Sequence, residues 1–520
     1  MTADSLPEQA TAPAPTHHRA NLVTTIASFM VSMIVGLWFT PYLVHHLGPA
    51  AYGLIPLATT IVSYFSLLSQ TLGAALTRNL SLALGQGDRA RSNHIFGTVL
   101  AASAILCGAL AVPLGAVAVL SPKMFDVPHG MNVETQILFG VVACTFLLTL
   151  VTTCFSAVSF IRNQIYLNNI AGLVQTLFRV VFTVALFEVA SPRVLYAALA
   201  ILFSTAIYTA LTVLFAKYSV PWLKISGLAF DRTTFRGFYR TSSHQLLMQV
   251  GTVVVMSCEI VLVNRLFGHY DAGRYAAIIQ WLLLLRNAST SLVVLFVPTI
   301  LAHYARNDIP GLVDFARRSM RWVGLCVALP AGYLCGLSPQ ILSVWLGHEF
   351  QSLWPIMVVQ LSPLVVVSSI VPLYTVSLAA DRVLISGAVQ VLTGIIAICL
   401  SVIVVRYAGA GMVAVAFCVG WTLLAKELVF MPIYVANNIG QKPTTFYPPL
   451  VQGVLMFLLA LALSWTAGHF LVLNSYLTLF LTGVGVSALY ASAAFGLMSR
   501  EDRAILLKAL PIQRFRLSAS

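Results

Sequence analysis

The sequence predicts an all-α, polytopic membrane protein of about 14 transmembrane helices. They are expected as two pseudo-symmetric six-helix bundles followed by two further helices. Three observations lead there. The chain has 520 residues, 59% of them hydrophobic and only 9% charged, with a mean hydropathy of +0.90. Its apolar residues fall in runs of roughly 20, the length at which a helix crosses a bilayer with its own backbone hydrogen bonds satisfied. Finally, the wording Ile170-Ala171-Gly172-Leu173-Val174-Gln175-Thr176-Leu177 returns as Ile385-Ser386-Gly387-Ala388-Val389-Gln390-Val391-Leu392. A soluble core has no room for so much apolar surface, and the period-2 alternation of an outer-membrane barrel is absent.

Taken in order, the candidate spans lie near 21–45, 51–77, 94–120, 136–160, 170–190, 194–215, 241–263, 272–300, 320–338, 354–378, 383–405, 410–434, 448–470 and 476–498. Prolines such as Pro41, Pro113, Pro330 and Pro372 sit within or near span ends, where neighbouring groups satisfy the freed carbonyls. Residues 1–18 are polar and rich in Pro, Ala and Thr; they read as a disordered cytoplasmic tail rather than a cleaved signal peptide. All 8 cysteines fall inside apolar runs with no C-x-x-C pair, which reads as small apolar filler rather than a disulfide framework or a metal site. His45 and His46 have no further ligand at metal spacing.

Orientation follows from the basic residues. With the N-terminus inside, the inner segments hold roughly 21 Lys and Arg against 5 outside, a decisive bias that places both termini in the cytoplasm. The net charge of +13 is then a topology signal and an attraction to anionic lipid headgroups, not a sign of nucleic-acid binding. The basic segment 216–243 is the natural seam. Shifting the second half back by 220 positions pairs Gly48 with Gly268, Gly53 with Gly273, and Asp88 with Asp308, while the octapeptide repeats at 215. The expected organisation is therefore a bundle at 19–215, the linker 216–243, a second bundle at 244–440, two added helices at 441–499, and a basic tail at 500–520.

The segment Leu47-Gly48-Pro49-Ala50-Ala51-Tyr52-Gly53-Leu54 resembles the L-G-x-x-x-Y-G segment of the Wzx-type polysaccharide flippases. These form one branch of the multidrug/oligosaccharidyl-lipid/polysaccharide exporter superfamily. The basic-polar stretch 78–93, the span number and the duplication are similar too. The resemblance implies a bacterial inner-membrane protein that moves an undecaprenyl-pyrophosphate-linked oligosaccharide to the outer leaflet by alternating access. It implies surface polysaccharide assembly as the setting, a polymerase and chain-length proteins as partners, a proton or sodium ion as a coupling partner, and no cofactor.

Charges at membrane depth mark the candidate site, because each is costly unless it faces a cavity or a partner. Arg179 falls about nine residues into its span, roughly 13 Å along the axis. Gly172, Gln175, Thr176 and Thr183 share its face. Either the guanidinium meets an anionic headgroup through charge-assisted hydrogen bonds, or it is a structural arginine capping carbonyls or pairing with a buried carboxylate. Arg286 lies mid-span beside Asn287, with Gln280 near, and the same two readings stand. Glu259 ends the stripe Gln245, Gln249, Thr252, Met256; it is a candidate ion-coupling carboxylate, or it pairs with Arg265. The repeat places Phe39 opposite Glu259. Gln70, on the stripe Ser63, Ser66, Gln70, Thr77 leading to Arg78, lines a cavity or packs helices. Lys426 and Glu427 point about 100° apart, with Lys426 free to snorkel inward. Trp345 and Trp354 read as interface anchors.

No Gly-Lys pair occurs anywhere, so a phosphate-binding ATPase loop is excluded, and no G-x-S-x-G or H-E-x-x-H motif suggests an enzyme. The rival functions are a cation-coupled multidrug exporter, a peptidoglycan-precursor flippase and a non-transporting scaffold for polysaccharide enzymes.

Overall fold

The computed structural model describes residues 17–65, 86–223, 258–380 and 382–497, with 73, 76, 77, 79–81, 83, 84, 251 and 253 between them. The protein is an all-α, multi-pass membrane protein. Among the described residues, 11 helices are long and apolar enough to cross a membrane, or 12 when a bent pair counts as one span. The predicted spans near 51–77 and 241–263 fall partly outside the described residues. The one predicted near 320–338 matches the first helix of the bent pair, and the second helix was not predicted. The pair runs Ile309–Gly336 and Ser338–Leu346 with a 77° break at Leu337, where Pro339 removes a backbone donor from the first turn of the new helix.

By residue contacts the chain divides into two units, Met1–Gln280 with Val383–Val415, and Trp281–Arg382 with Ala416–Ser520. The first holds α1 (His18–Leu47), α2 (Pro49–Tyr52), α3 (Leu54–Ser63), α4 (Arg89–Met124), α5 (Asn132–Ile161), α6 (Ile165–Val189), α7 (Val194–Ser219), α8 (His269–Ile278) and α15 (Val383–Ala408). Its core cluster joins Leu76, Leu80, Phe96, Val99, Phe155 and Val158. The second holds most of α9 (Gln280–Val294), then α10 (Val297–Ala305), α11 (Ile309–Gly336), α12 (Ser338–Leu346), α13 (Trp354–Leu361) and α14 (Leu364–Ala379). It is completed by most of α16 (Met412–Asn438), α17 (Tyr447–Phe470) and α18 (Tyr476–Leu497). Its cluster joins Leu312, Met320, Ile370, Leu373, Met431 and Phe446.

Residues 220 apart share backbone geometry. Gly48 (φ 77°) and Gly268 (φ 91°) both take a conformation that favours glycine, and each donates its N–H to the carbonyl four residues back, Val44 and Asn264. Each then opens a new helix. Gly87 (φ 71°) and Asn307 (φ 58°) form a second such pair. The residues after them, Asp88 and Asp308, cap α4 and α11 by accepting the N–H of Arg91 (2.9 Å) and Gly311 (3.0 Å). The Asp308 carboxyl is held below the usual carboxylate range by that N–H and by the His303 ring.

The last two helices attach to α11. At Gly332 and Gly336 an added Cβ would stand 2.9 Å from the Phe457 carbonyl and 2.8 Å from the Leu461 carbonyl of α17, so only small residues permit the backbones to approach this closely. Tyr333 and Tyr490 then bridge to α18, Tyr333 donating to the Leu479 carbonyl (2.6 Å) and Tyr490 from α18 donating to Leu325 (2.7 Å).

Candidate functional site

Among the described residues, Arg179, Arg286 and Lys426 are basic residues well inside long apolar helices. Each has a different environment, and the difference separates a binding candidate from a structural one.

Arg179 sits on α6, which packs along α1. At their N-terminal ends the two helices are joined by a polar ladder. Asn21, buried, donates to the Asn163 carbonyl (2.8 Å) and accepts the Tyr166 N–H (3.0 Å). One turn on, Asn169 donates to Thr24 (3.1 Å) and Thr25 (2.9 Å), and Ser28 donates to the Asn169 carbonyl (3.3 Å). Above the ladder, the Arg179 guanidinium lies over the Phe39 ring, 5.7 Å from its centroid. Because α6 begins at Ile165, Arg179 is deeper than the hydropathy boundary implied, about 21 Å from one helix end and roughly 15 Å from the other. Its Nε is buried without a hydrogen-bond partner, and no carboxylate pairs with it among the described residues. A cation–π contact is worth about 0.5–2 kcal/mol. Taking an unpaired charge out of water costs several kcal/mol. The Phe39 ring is the aromatic contact the guanidinium has among the described residues.

The rest of the predicted polar face divides between neighbours. Gln175 donates to Thr205 of α7 (3.2 Å), which ties α6 to α7 beside Arg179. Thr183 is buried and bonds back to the Arg179 carbonyl (2.7 Å). The second octapeptide has no charge here: Gly394, buried, stands where the first copy has Arg179.

Glu259 is buried and accepts the Tyr275 hydroxyl at 2.8 Å. The alternative pairing with Arg265 is not formed; that guanidinium lies over Phe125 instead, 6.0 Å from its centroid. The stripe below Glu259, Gln245, Gln249, Thr252 and Met256, lies outside the described residues, as do Gln70 and Arg78. Arg286, half-buried, and Asn287, exposed, belong to the second unit, whereas Arg179 and Glu259 belong to the first. Their carbonyls accept Thr290 (3.0 Å) and Ser291 (2.9 Å) one turn on. His45 and His46 each use Nδ1 on their own helix, at the Pro41 (2.7 Å) and Tyr42 (2.8 Å) carbonyls.

Lys426 does not snorkel. It is buried with Glu427, Nζ to Oε1 at 2.7 Å, with side chains only 5% and 4% exposed. The two reach each other through Tyr374 of α14, whose hydroxyl donates to Glu427 Oε1 (2.7 Å) and accepts from Lys426. Pattern reasoning undervalued this pair because adjacent helical residues diverge; the tyrosine, 52 positions away, is what draws them together. Glu427 Oε2 is buried with no partner among the described residues. The arrangement is a strut inside the second unit, a buried ion pair tied to α14 by Tyr374. Trp345 is likewise no interface anchor: it is buried against Trp281 with ring centroids 5.3 Å apart. Trp354 is exposed, 44% of its surface open.

No protein-family model matches the chain. It is 29% identical over 493 residues to the uncharacterized membrane protein EpsK of Bacillus subtilis (strain 168), covering 94% of this chain and 97% of that protein. Among solved structures it is similar to the lipid II flippase MurJ in an inward closed conformation. The TM-score is 0.66 at 14% identity, covering 91% of this chain and 98% of that one. It is also similar to an inward-facing multidrug resistance MATE family transporter of the MOP superfamily, with TM-score 0.65 at 14% identity over 81% of this chain and 98% of the other. The chain therefore has the helical fold shared by the MATE transporter and MurJ.

Proposed function

We propose that the chain is a flippase that moves an undecaprenyl-pyrophosphate-linked oligosaccharide from the inner to the outer leaflet of a bacterial inner membrane, without an enzymatic step. The observation that carries this reading is Arg179: a mid-span guanidinium backed by Phe39, with no carboxylate paired to it among the described residues. A pyrophosphate is a delocalised anion whose oxygens match the forked N–H groups of arginine. The lipid tail stays in the bilayer while the headgroup passes. Arg286, Asn287, Gln70, Arg78 and Gln175 are the other proposed substrate contacts, and Glu259 the proposed site of proton or sodium coupling. The fold shared with a lipid II flippase supports a lipid-linked cargo. The geometry shared by residues 220 apart supports the duplication into bundles at 19–215 and 244–440, each with the same orientation in the membrane. Both termini then face the cytoplasm, and a polysaccharide polymerase and chain-length proteins are the expected partners.

A cation-coupled multidrug exporter would place carboxylates where this chain has Arg179; Glu259 is the one feature that favours it, and that carboxylate already holds Tyr275. Deleting the gene separates the readings. The flippase reading expects undecaprenyl-linked glycan to accumulate on the cytoplasmic leaflet while surface polysaccharide falls. Unchanged lipid-linked glycan and surface polysaccharide, with increased sensitivity to organic cations, would overturn it in favour of the exporter.

A further inference from the structure

At the end of the first unit opposite the start of α1, the loop after α4 is tied to the turn that opens α8. Asp126 donates its main-chain N–H to Asn264 Oδ1 (3.0 Å), and Asn264 Nδ2 donates back to the Asp126 carbonyl (3.0 Å). The Asp126 carboxylate in turn accepts the His269 main-chain N–H (2.8 Å) and its ring Nδ1–H (2.6 Å), all on the same side of the turn. Asn264 is 1% exposed, so its amide is committed to this bracket. Beside it, α2 and α8 cross at their glycines: a Cβ on Gly273 would lie 1.7 Å from the Pro49 carbonyl oxygen, and one on Gly53 would lie 2.6 Å from the Gly273 Cα. Residues 49–126 belong to the first sequence repeat and 264–273 to the second.

The 220-residue shift makes the bracket one-sided. It sets Val44 against Asn264, Pro49 against His269, and Leu346 against Asp126, so the symmetric position carries no equivalent side chains. A packing requirement of the duplicated fold would be expected at both places. This bracket was added at one.

We propose that Asp126, Asn264 and His269 form a latch that holds the two repeats together on the outer membrane face, over the Gly53–Gly273 crossing, and that it must part for the path to open outward. The outward placement rests on the Lys and Arg distribution, and the link to transport rests on the proposed function. The charged and titratable groups acting on the carboxylate are His269 on α8 and His129 in its own loop. Slight burial pushes the Asp126 carboxyl up, but the two His269 donors and the nearby His269 and His129 outweigh this and hold it below the usual carboxylate range. The latch contribution is thus present at pH above the ordinary carboxylate value, and it is lost only as pH falls through the depressed one.

Two measurements test this on the full-length chain in cells, in a version whose native cysteines are replaced and which still supports surface glycan. First, Ala272→Cys, at a site 1% exposed, is labelled from outside with a membrane-impermeant maleimide. The expected result is slow labelling in the parent and at least three-fold faster labelling with Asp126→Ala or with Asn264→Leu added. Equal labelling rates in all three overturn the latch, whatever the chain carries. Second, Asp126→Cys with His269→Cys is oxidised. A disulfide that stops glycan export, restored by reductant, supports the proposal; a formed disulfide with export unchanged overturns the requirement that the latch open.

Discussion

Replacing Lys426 by methionine tests the reading of the second unit's interior. The ammonium and the Glu427 carboxylate are 2.7 Å apart with about one-twentieth of each side chain exposed, and Tyr374 is bonded to both. Removing one partner of such a pair leaves the other charge buried, at a cost of about 3–5 kcal/mol. Replacing both by apolar residues of similar volume is expected to be near neutral, because the desolvation of two charges is relieved together. For a unit of this size each kcal/mol shifts the melting temperature by roughly 2–4 °C, so Lys426→Met is expected to lower Tm by on the order of 10 °C. Lys426→Met with Glu427→Leu should recover most of that loss. Tm is measured on purified protein in detergent by tryptophan fluorescence or by size-exclusion after heating. A single variant within about 1 kcal/mol of the parent, or a double variant as unstable as the sum of its singles, would refute the strut.

Other consequences follow from named contacts. Arg179→Lys keeps the charge but loses the fork and its fit to the Phe39 ring, so glycan export should fall roughly tenfold, about 1.4 kcal/mol, with protein level unchanged on a blot. Gly273→Ala forces a Cβ against the Pro49 backbone and should reduce folded protein, whereas Gly115→Ala, with nothing within 4 Å, should be tolerated; detergent-extracted yield by size-exclusion separates them. Glu259→Gln is expected to remove the dependence of transport on an imposed proton or sodium gradient while the protein remains folded. A gradient dependence identical to the parent's would take the coupling role away from Glu259.

Much of the fold was legible because lipid makes hydropathy a strong constraint: the spans and the repeat could be drawn from apolar runs and from Gly48, Gly268, Asp88 and Asp308. Glycine at positive φ and aspartate at a helix start are local requirements, so the residue type alone carries the signal. The predicted span ended near 338, close to the break at Leu337, but the second helix Ser338–Leu346, turned by 77°, was not legible because it is only 9 residues long. Depth singled out Arg179, yet its platform Phe39 is 140 positions away, and the repeat gave Phe39 only as the counterpart of Glu259. The ladder of Asn21 and Asn169 went unremarked, although asparagine near the start of an otherwise apolar helix is itself a signal of a polar partner. The strut and the latch were invisible for a common reason. Each is assembled from side chains 52 or 138 residues apart, and no local pattern encodes such a meeting.

The central claim is transbilayer movement of a lipid-linked glycan through a site that includes Arg179. The most direct measurement is purified full-length chain in proteoliposomes loaded with a fluorescent undecaprenyl-pyrophosphate oligosaccharide, with the fraction reaching the opposite leaflet read by an impermeant quencher. The account predicts movement well above that of protein-free vesicles, and its loss in Arg179→Ala at equal protein incorporation. Movement no faster than in protein-free vesicles, or unchanged in Arg179→Ala, would contradict it.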